Sequence, residues 1–300
     1  MFRAYAAVCS VLILGFAAPG AATVPDAVTL AYAPCGGMIC IPVTLVDGKS
    51  HVLLLDTGNI NSWLLAESAR ALGLKLDPIE RNGQALPGLF RLGAQSVSLQ
   101  GRTLSGRFLA LEREQTGELP AGVEGALAYT LFKDKVLQID YPRRTVRMLE
   151  SREASPSEPG NELKLITFGR DGPPIVVGSG FSVNGKPVSA QIDTCYTGTL
   201  LVYTDAIAQL GLQRAAGTGR PRYFPYTDGG VNMSEASADS VAFGAYLLSP
   251  QPAVVYFPGT GSNPVHQPDG LFEATVGNAL FAHSVVTLDF HSMRVSVQPG

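Results

Sequence analysis

The sequence predicts an all-β protein built as two similar lobes with short helices, related by a pseudo-two-fold axis. Three observations carry that expectation. Over 300 residues the chain holds 33 glycines and 21 prolines with only 16% charged side chains, a composition suited to many tight turns rather than long helices. Residues 51–65 (HVLLLDTGNINSWLL) match residues 188–202 (VSAQIDTCYTGTLLV) at a constant offset of 137. A second match joins residues 124–149 to residues 276–297, so each copy opens and closes alike. Hydrophobic residues make up 46% of the chain, which excludes a disordered protein. With 22 basic and 25 acidic side chains the net charge is −3, so no bulk positive field attracts nucleic acid or an anionic membrane.

The elements follow in chain order. Arg3, an apolar run from Ala4 to Ala18 and the small residues Gly20, Ala21 and Ala22 predict a secretory signal peptide over residues 1–22. The alternative, a membrane anchor, needs a longer run, about 20 residues. After cleavage the protein is expected to be periplasmic or secreted, with no membrane contact. Cleavage removes Cys9 and leaves three cysteines. Cys35 and Cys40 enclose Gly36-Gly37 and either close a local disulfide or stand as two thiols; in the first case Cys195 is unpaired. No cysteine or histidine pair has zinc-ligand spacing and HExxH is missing, so no metal or other cofactor is expected.

Each copy then repeats one design. Asp47-Gly48-Lys49 and Asn184-Gly185-Lys186 are hairpin turns lying just upstream of Asp56 and Asp193, which places each aspartate at the end of a returning apolar strand. The segments 66–74 and 204–212 read as short amphipathic helices ending near a glycine. AQSVSLQG, RFLALE, DSVAFG and PAVVYF read as short strands. Residues 150–162 (ESREASPSEPGNE) have linker composition, dividing an N-terminal lobe at 23–149 from a C-terminal lobe at 163–300.

One Asp-Thr-Gly is most simply a strand-ending turn in which the aspartate caps the backbone. Two copies about a two-fold axis are different, because two carboxyls brought together cannot both ionise cheaply and come to share a proton. Such a pair can hold a water between an acceptor and a donor, which is general acid–base chemistry without a covalent intermediate.

Asp56-Thr57-Gly58 followed by Asn59 to Leu64, with Trp63 seven residues after the aspartate, resembles the first active-site loop of pepsin-like aspartic proteases. The full repeat of hairpin, strand, Asp-Thr, helix ending Leu-Gly-Leu, and a closing Asp-aromatic strand is similar to the retropepsin-like aspartic protease domain of bacteria, over residues 40–298. The resemblance implies a monomeric endopeptidase acting on a peptide or protein substrate. It further implies that Asp56 and Asp193 are the catalytic pair; Asp56 is the favoured base and Asp193 its acid partner, labels that the symmetry lets exchange. Thr57 and Thr194 would interlock the loops, and Gly58 would lend an N–H to the carboxylates. In the second loop Cys195 replaces glycine and keeps its N–H, so it is grouped with the residues supporting the pair. Ala128 likewise stands where the second copy has Gly277.

Further candidates carry less. Trp63 is a core residue or a subsite wall. Residues 220–230 (RPRYFPYTDGG), with Tyr223, Phe224 and Tyr226, are a lid over a peptide cleft or a surface loop; Tyr223 and Tyr226 are the candidate substrate contacts. Asp140 and Asp289 read as structural acids at strand ends, and His51, His266, His283 and His291 form no cluster. The rival to an enzyme is a peptide-binding envelope module that keeps the cleft and has lost efficient chemistry.

Overall fold

The computed structural model describes residues 27–150, 161–167, 174–214, 220–222, 231–256 and 272–300. The expected signal peptide, most of the expected linker, Tyr223, Phe224, Tyr226 and His266 lie outside the described residues. The fold is all-β with two short helices, Ala66–Ala71 and Thr204–Leu210, at the positions the repeat predicts. At the edges of the expected linker the strand Thr145–Glu150 keeps Glu150, and Asn161–Thr167 already pairs with Arg294–Pro299 from Asn161. The sheet reaches further into the polar stretch than composition suggested, because Glu150 forms an ion pair with Lys135 on the neighbouring strand.

In the first lobe Met38–Thr44 and Ser50–Asp56 form a hairpin with Cys40 opposite Leu54 and Thr44 opposite Ser50. Gly48 takes the left-handed conformation (φ 72°) at its turn, and the Asp47 carboxylate accepts the Lys49 N–H at 3.0 Å. The second lobe repeats the hairpin with Pro174–Val183 and Lys186–Ile192, where Asn184 (φ 51°) and Gly185 (φ 73°) both enter the left-handed region. This is the turn geometry that Asn-Gly selects.

Each returning strand then slots into the same three-strand unit. Ser50–Asp56 lies parallel to Val123–Ala128, which pairs antiparallel with Ser62–Leu65 on its other side. Lys186–Ile192 lies parallel to Ala274–Val276, which pairs antiparallel with Leu200–Val202. In the first lobe Leu53-Leu54-Leu55 is buried on both faces and reads as a continuous apolar run, whereas Lys186–Ile192 alternates buried with part-exposed residues.

The lobes are joined by a continuous antiparallel seam. Ala27–Ala31, Thr145–Glu150, Lys135–Asp140, Ser284–Asp289, Arg294–Pro299 and Asn161–Thr167 lie side by side in that order. At its middle Gln138 faces Thr287, residues that occupy equivalent places in the two copies at a separation of 149. Val136 faces Asp289 and Asp140 faces Val285, so exchanging the copies maps the pairing onto itself. A two-fold axis passes between Gln138 and Thr287, whose side chains are hydrogen-bonded at 3.2 Å. The turns leaving both strands are capped alike: Asp140 accepts the Arg143 N–H at 2.9 Å and Asp289 accepts the Ser292 N–H at 2.8 Å. Both acids are therefore structural.

Leu137 and Leu288 face each other in this seam and both are fully buried. Leu137→Ala is expected to lower the unfolding free energy by about 2–5 kcal/mol, read as a lower urea midpoint.

Candidate active site

Asp56 ends its strand opposite Ala128, and Asp193 continues the equivalent strand, its N–H donating to the Val276 carbonyl at 3.0 Å. The loops that follow lock onto each other. Thr57 N–H donates to Thr194 Oγ1 at 3.0 Å and Thr194 N–H donates to Thr57 Oγ1 at 3.2 Å. Each hydroxyl in turn donates across the axis: Thr57 to the Ile192 carbonyl at 2.8 Å and Thr194 to the Leu55 carbonyl at 2.6 Å. Both threonines are almost wholly buried, at 0% and 1% exposure, so these polar groups have no water to fall back on.

The aspartates consequently converge. Oxygens of Asp56 and Asp193 lie within 4.8 Å of each other, and the Cys195 sulfur lies within the same distance of both. Asp56 Oδ1 accepts the Gly58 N–H at 3.1 Å, and the Cys195 thiol beside it donates to the Leu55 carbonyl at 3.7 Å. Asp193 Oδ1 accepts two N–H groups, from Cys195 at 2.8 Å and from Tyr196 at 3.2 Å.

Gly58 is a spatial requirement, since a Cβ there would sit 2.3 Å from the Asp193 carboxyl carbon. The equivalent space in the second loop is filled by the Cys195 side chain. Gly277 is also set by close approach, as a Cβ would lie 2.3 Å from the Tyr196 carbonyl oxygen. Ala128, its counterpart, is accommodated in the core of the first lobe with no exposure.

Burial raises the Asp56 carboxyl to about 8, with the nearby Asp193 charge adding to the effect. Asp193 is raised as well, again by burial, while the Cys195 and Tyr196 N–H groups pull it back down. With both carboxyls raised by burial and placed this close, the pair shares a proton at neutral pH. The same burial, reinforced by both carboxylates, pushes the Cys195 thiol well above its usual value, so it is neutral and a poor nucleophile.

The other predicted residues fall into place around this centre. Cys35 and Cys40 form a disulfide across the base of a hairpin, with Cα atoms 6.0 Å apart, and Cys195 is free. Trp63, 7% exposed, packs with Leu54, Leu65, Leu111 and Val123, and partly buried Cys195 and Met38 rest on that cluster. It is a packing residue beneath the loops. His51 bridges Glu124 and Asp47 at 3.0 and 3.1 Å in the hairpin, a cluster that sequence reading did not find.

Asn278 was also missed. It is 6% exposed, and its amide donates to the Thr194 carbonyl at 2.6 Å and the Gly37 carbonyl at 3.0 Å while accepting from Tyr141 Oη at 2.8 Å. It ties the second loop to the disulfide hairpin of the other lobe. The signal was a polar residue directly after Gly277 in an otherwise apolar closing motif.

Residues 180–272 match the aspartyl protease family model, a span that includes the Asp193 loop. An aspartic proteinase from Irpex lacteus superposes with a TM-score of 0.52 at 14% identity, covering 91% of this chain and 97% of that one. Conglutin gamma, a basic 7S globulin from lupine seeds, superposes with a TM-score of 0.50 at 11% identity, covering 92% and 95%. The chain has the two-lobed fold of the aspartic proteinase it superposes on. No curated protein matches the chain. Between the two copies, the exchange of Gly58 for Cys195 is the difference that touches the aspartate pair directly.

Two outcomes follow from the geometry. Thr194→Val deletes the acceptor of a buried N–H and the donor to a buried carbonyl, and is expected to cost about 2–4 kcal/mol in chemical denaturation. Asp56 holds its proton in the folded state up to about 8, whereas an unfolded aspartate releases it near ~4. The folded form thus binds more protons between these values, and stability falls as pH rises through that window. Asp56→Asn removes the ionising group, so its melting temperature is expected to match the wild type at pH 4 and exceed it by roughly 3–6 °C at pH 8.

Proposed function

We propose that this chain is an exported aspartic endopeptidase that hydrolyses peptide bonds with a water held between Asp56 and Asp193. The observation that carries the reading is the approach of the two carboxyls to within 4.8 Å on loops exchanged by a two-fold axis. One proton and one negative charge on such a pair supply an acceptor for the water proton and a donor for the scissile carbonyl oxygen.

The hydrogen-bond asymmetry supports a definite division of labour. Asp193, charged and steadied by two N–H donors, takes a proton from water as the oxygen attacks the carbonyl carbon. Asp56 gives its proton to the carbonyl oxygen, forming a neutral tetrahedral diol. Collapse of the diol breaks the C–N bond, with a proton passing through the pair to the departing amine. This reverses the assignment favoured from sequence, where Asp56 was the expected base. The reason is local: Asp56 has one backbone donor and is the more deeply buried of the two.

Export is supported by the order of Arg3, apolar run and small residues at the N-terminus, and by the Cys35–Cys40 disulfide, which persists in an oxidising compartment.

The test is hydrolysis of a diverse peptide mixture by the purified mature protein from pH 3 to 9, followed by mass spectrometry. Turnover is expected to fade as Asp56 loses its proton near about 8. Asp56→Asn and Asp193→Asn are each expected to lose about 10²–10⁴-fold in kcat. Cleavage surviving both substitutions would overturn the reading.

A further inference from the structure

We propose that Asp56, Asp193 and Cys195 form a binding site for a borderline-soft divalent cation of the zinc class, and that the cation silences the aspartate pair by taking the place of its water. The inference rests on the proposed function only for what the cation would silence; the site itself rests on three ligand groups. Their oxygen, oxygen and sulfur atoms all lie within 4.8 Å of one another. Tetrahedral zinc, with bonds of about 2.0 Å to oxygen and 2.3 Å to sulfur, separates its ligand atoms by roughly 3.3–3.8 Å, so small side-chain rotations complete the geometry.

The donor set selects the cation. Two carboxylates alone would suit magnesium or calcium poorly, since these want six or more oxygens. The Cys195 sulfur shifts the preference to zinc or cadmium, which accept mixed sulfur and oxygen ligands and displace to solvent both the thiol proton and the proton shared by the two carboxyls. The first loop cannot supply this sulfur, because a Cβ at Gly58 would collide with the Asp193 carboxyl. The cysteine in the second loop is what turns an aspartate pair into a three-point chelate.

The ligands are also held from behind. Asp56 Oδ1 is fixed by the Gly58 N–H, Asp193 Oδ1 by the Cys195 and Tyr196 N–H groups, and the loop that carries Cys195 by Asn278, which donates to the Thr194 carbonyl. Outer hydrogen bonds of this kind orient metal-binding carboxylates. Among the described residues the other two cysteines, Cys35 and Cys40, are joined in a disulfide and do not compete. The competing cluster among the described residues is His51 with Asp47 and Glu124, whose carboxylates contact opposite nitrogens of one imidazole and so face different directions.

The experiment uses mature protein with its disulfide intact, free of chelators and of any histidine tag. Cadmium is titrated in by ultraviolet absorption and zinc by calorimetry, against Cys195→Ser, Asp193→Asn and His51→Gln, each checked for folding by circular dichroism. The expected result is one zinc per chain and a cadmium–thiolate charge-transfer band in the wild type and in His51→Gln. Cys195→Ser should lose the band, and both site variants should lose about 100-fold or more in zinc affinity. No band in the wild type, or unchanged zinc affinity in folded Cys195→Ser, would overturn the site. Because neither readout involves peptide turnover, a protein that binds zinc yet cleaves nothing even when stripped of metal by a chelator refutes the protease reading and leaves the site standing, while turnover of the stripped protein that zinc does not suppress overturns the silencing. A protein that cleaves peptides but ignores zinc does the reverse.

Discussion

The reciprocal hydrogen bonds between Thr57 and Thr194 are the contact on which the rest depends. Four bonds of 2.6–3.2 Å run between two loops that belong to different lobes, and every polar atom in them is buried. Opening the lobes would strand donors and acceptors in an apolar interior, at roughly 1–3 kcal/mol for each group left unpaired. The central seam adds apolar area under the same axis, with Leu137 against Leu288 and Ile139 against Val286. Seam and grip together hold the two aspartates close to each other.

That fixed separation has an electrostatic consequence. Two carboxyls held close in a poorly solvated place cannot relieve their repulsion by moving apart, so they relieve it by keeping a proton. The symmetry of the backbone does not extend to this proton. Asp193 is served by two N–H groups and Asp56 by one, and a thiol rather than a hydrogen atom projects from the second loop toward Asp56. A pseudo-symmetric scaffold thereby yields two chemically distinct acids, which acid–base catalysis requires.

Much of this arrangement could be read from the sequence because duplication leaves a record that needs no structure. The offset that aligns Asp56 with Asp193 is also the offset between the two threonines that bond each other. Hairpin turns, apolar strands and both short helices follow from local chemistry, and they stand where the pattern puts them. What escaped was long-range and polar. Nothing local to Asn278 announces that its amide will reach Gly37, 241 residues away. Nor does any spacing rule join His51 to Glu124, which meet only because their strands lie side by side through the parallel pairing of the first lobe. The proposed division of labour between the two aspartates lay beyond the sequence for a related reason, since it rests on burial and on counting N–H donors in three dimensions.

Cys195 shows why a repeat should be compared for its differences as well as its matches. In the first loop the space beside Gly58 is filled from across the axis by the Asp193 carboxyl. Strict symmetry would have the Asp56 carboxyl fill the space beside residue 195, and there the side chain of Cys195 already stands. The two carboxyls therefore cannot be placed equivalently, whatever the backbone symmetry. A single added Cβ and sulfur both displaces one acid from the symmetric position and supplies a third, softer ligand atom beside it. The same substitution thus bears on which aspartate keeps the proton and on which cations the site can hold, and these two properties cannot be altered independently by mutating residue 195 alone.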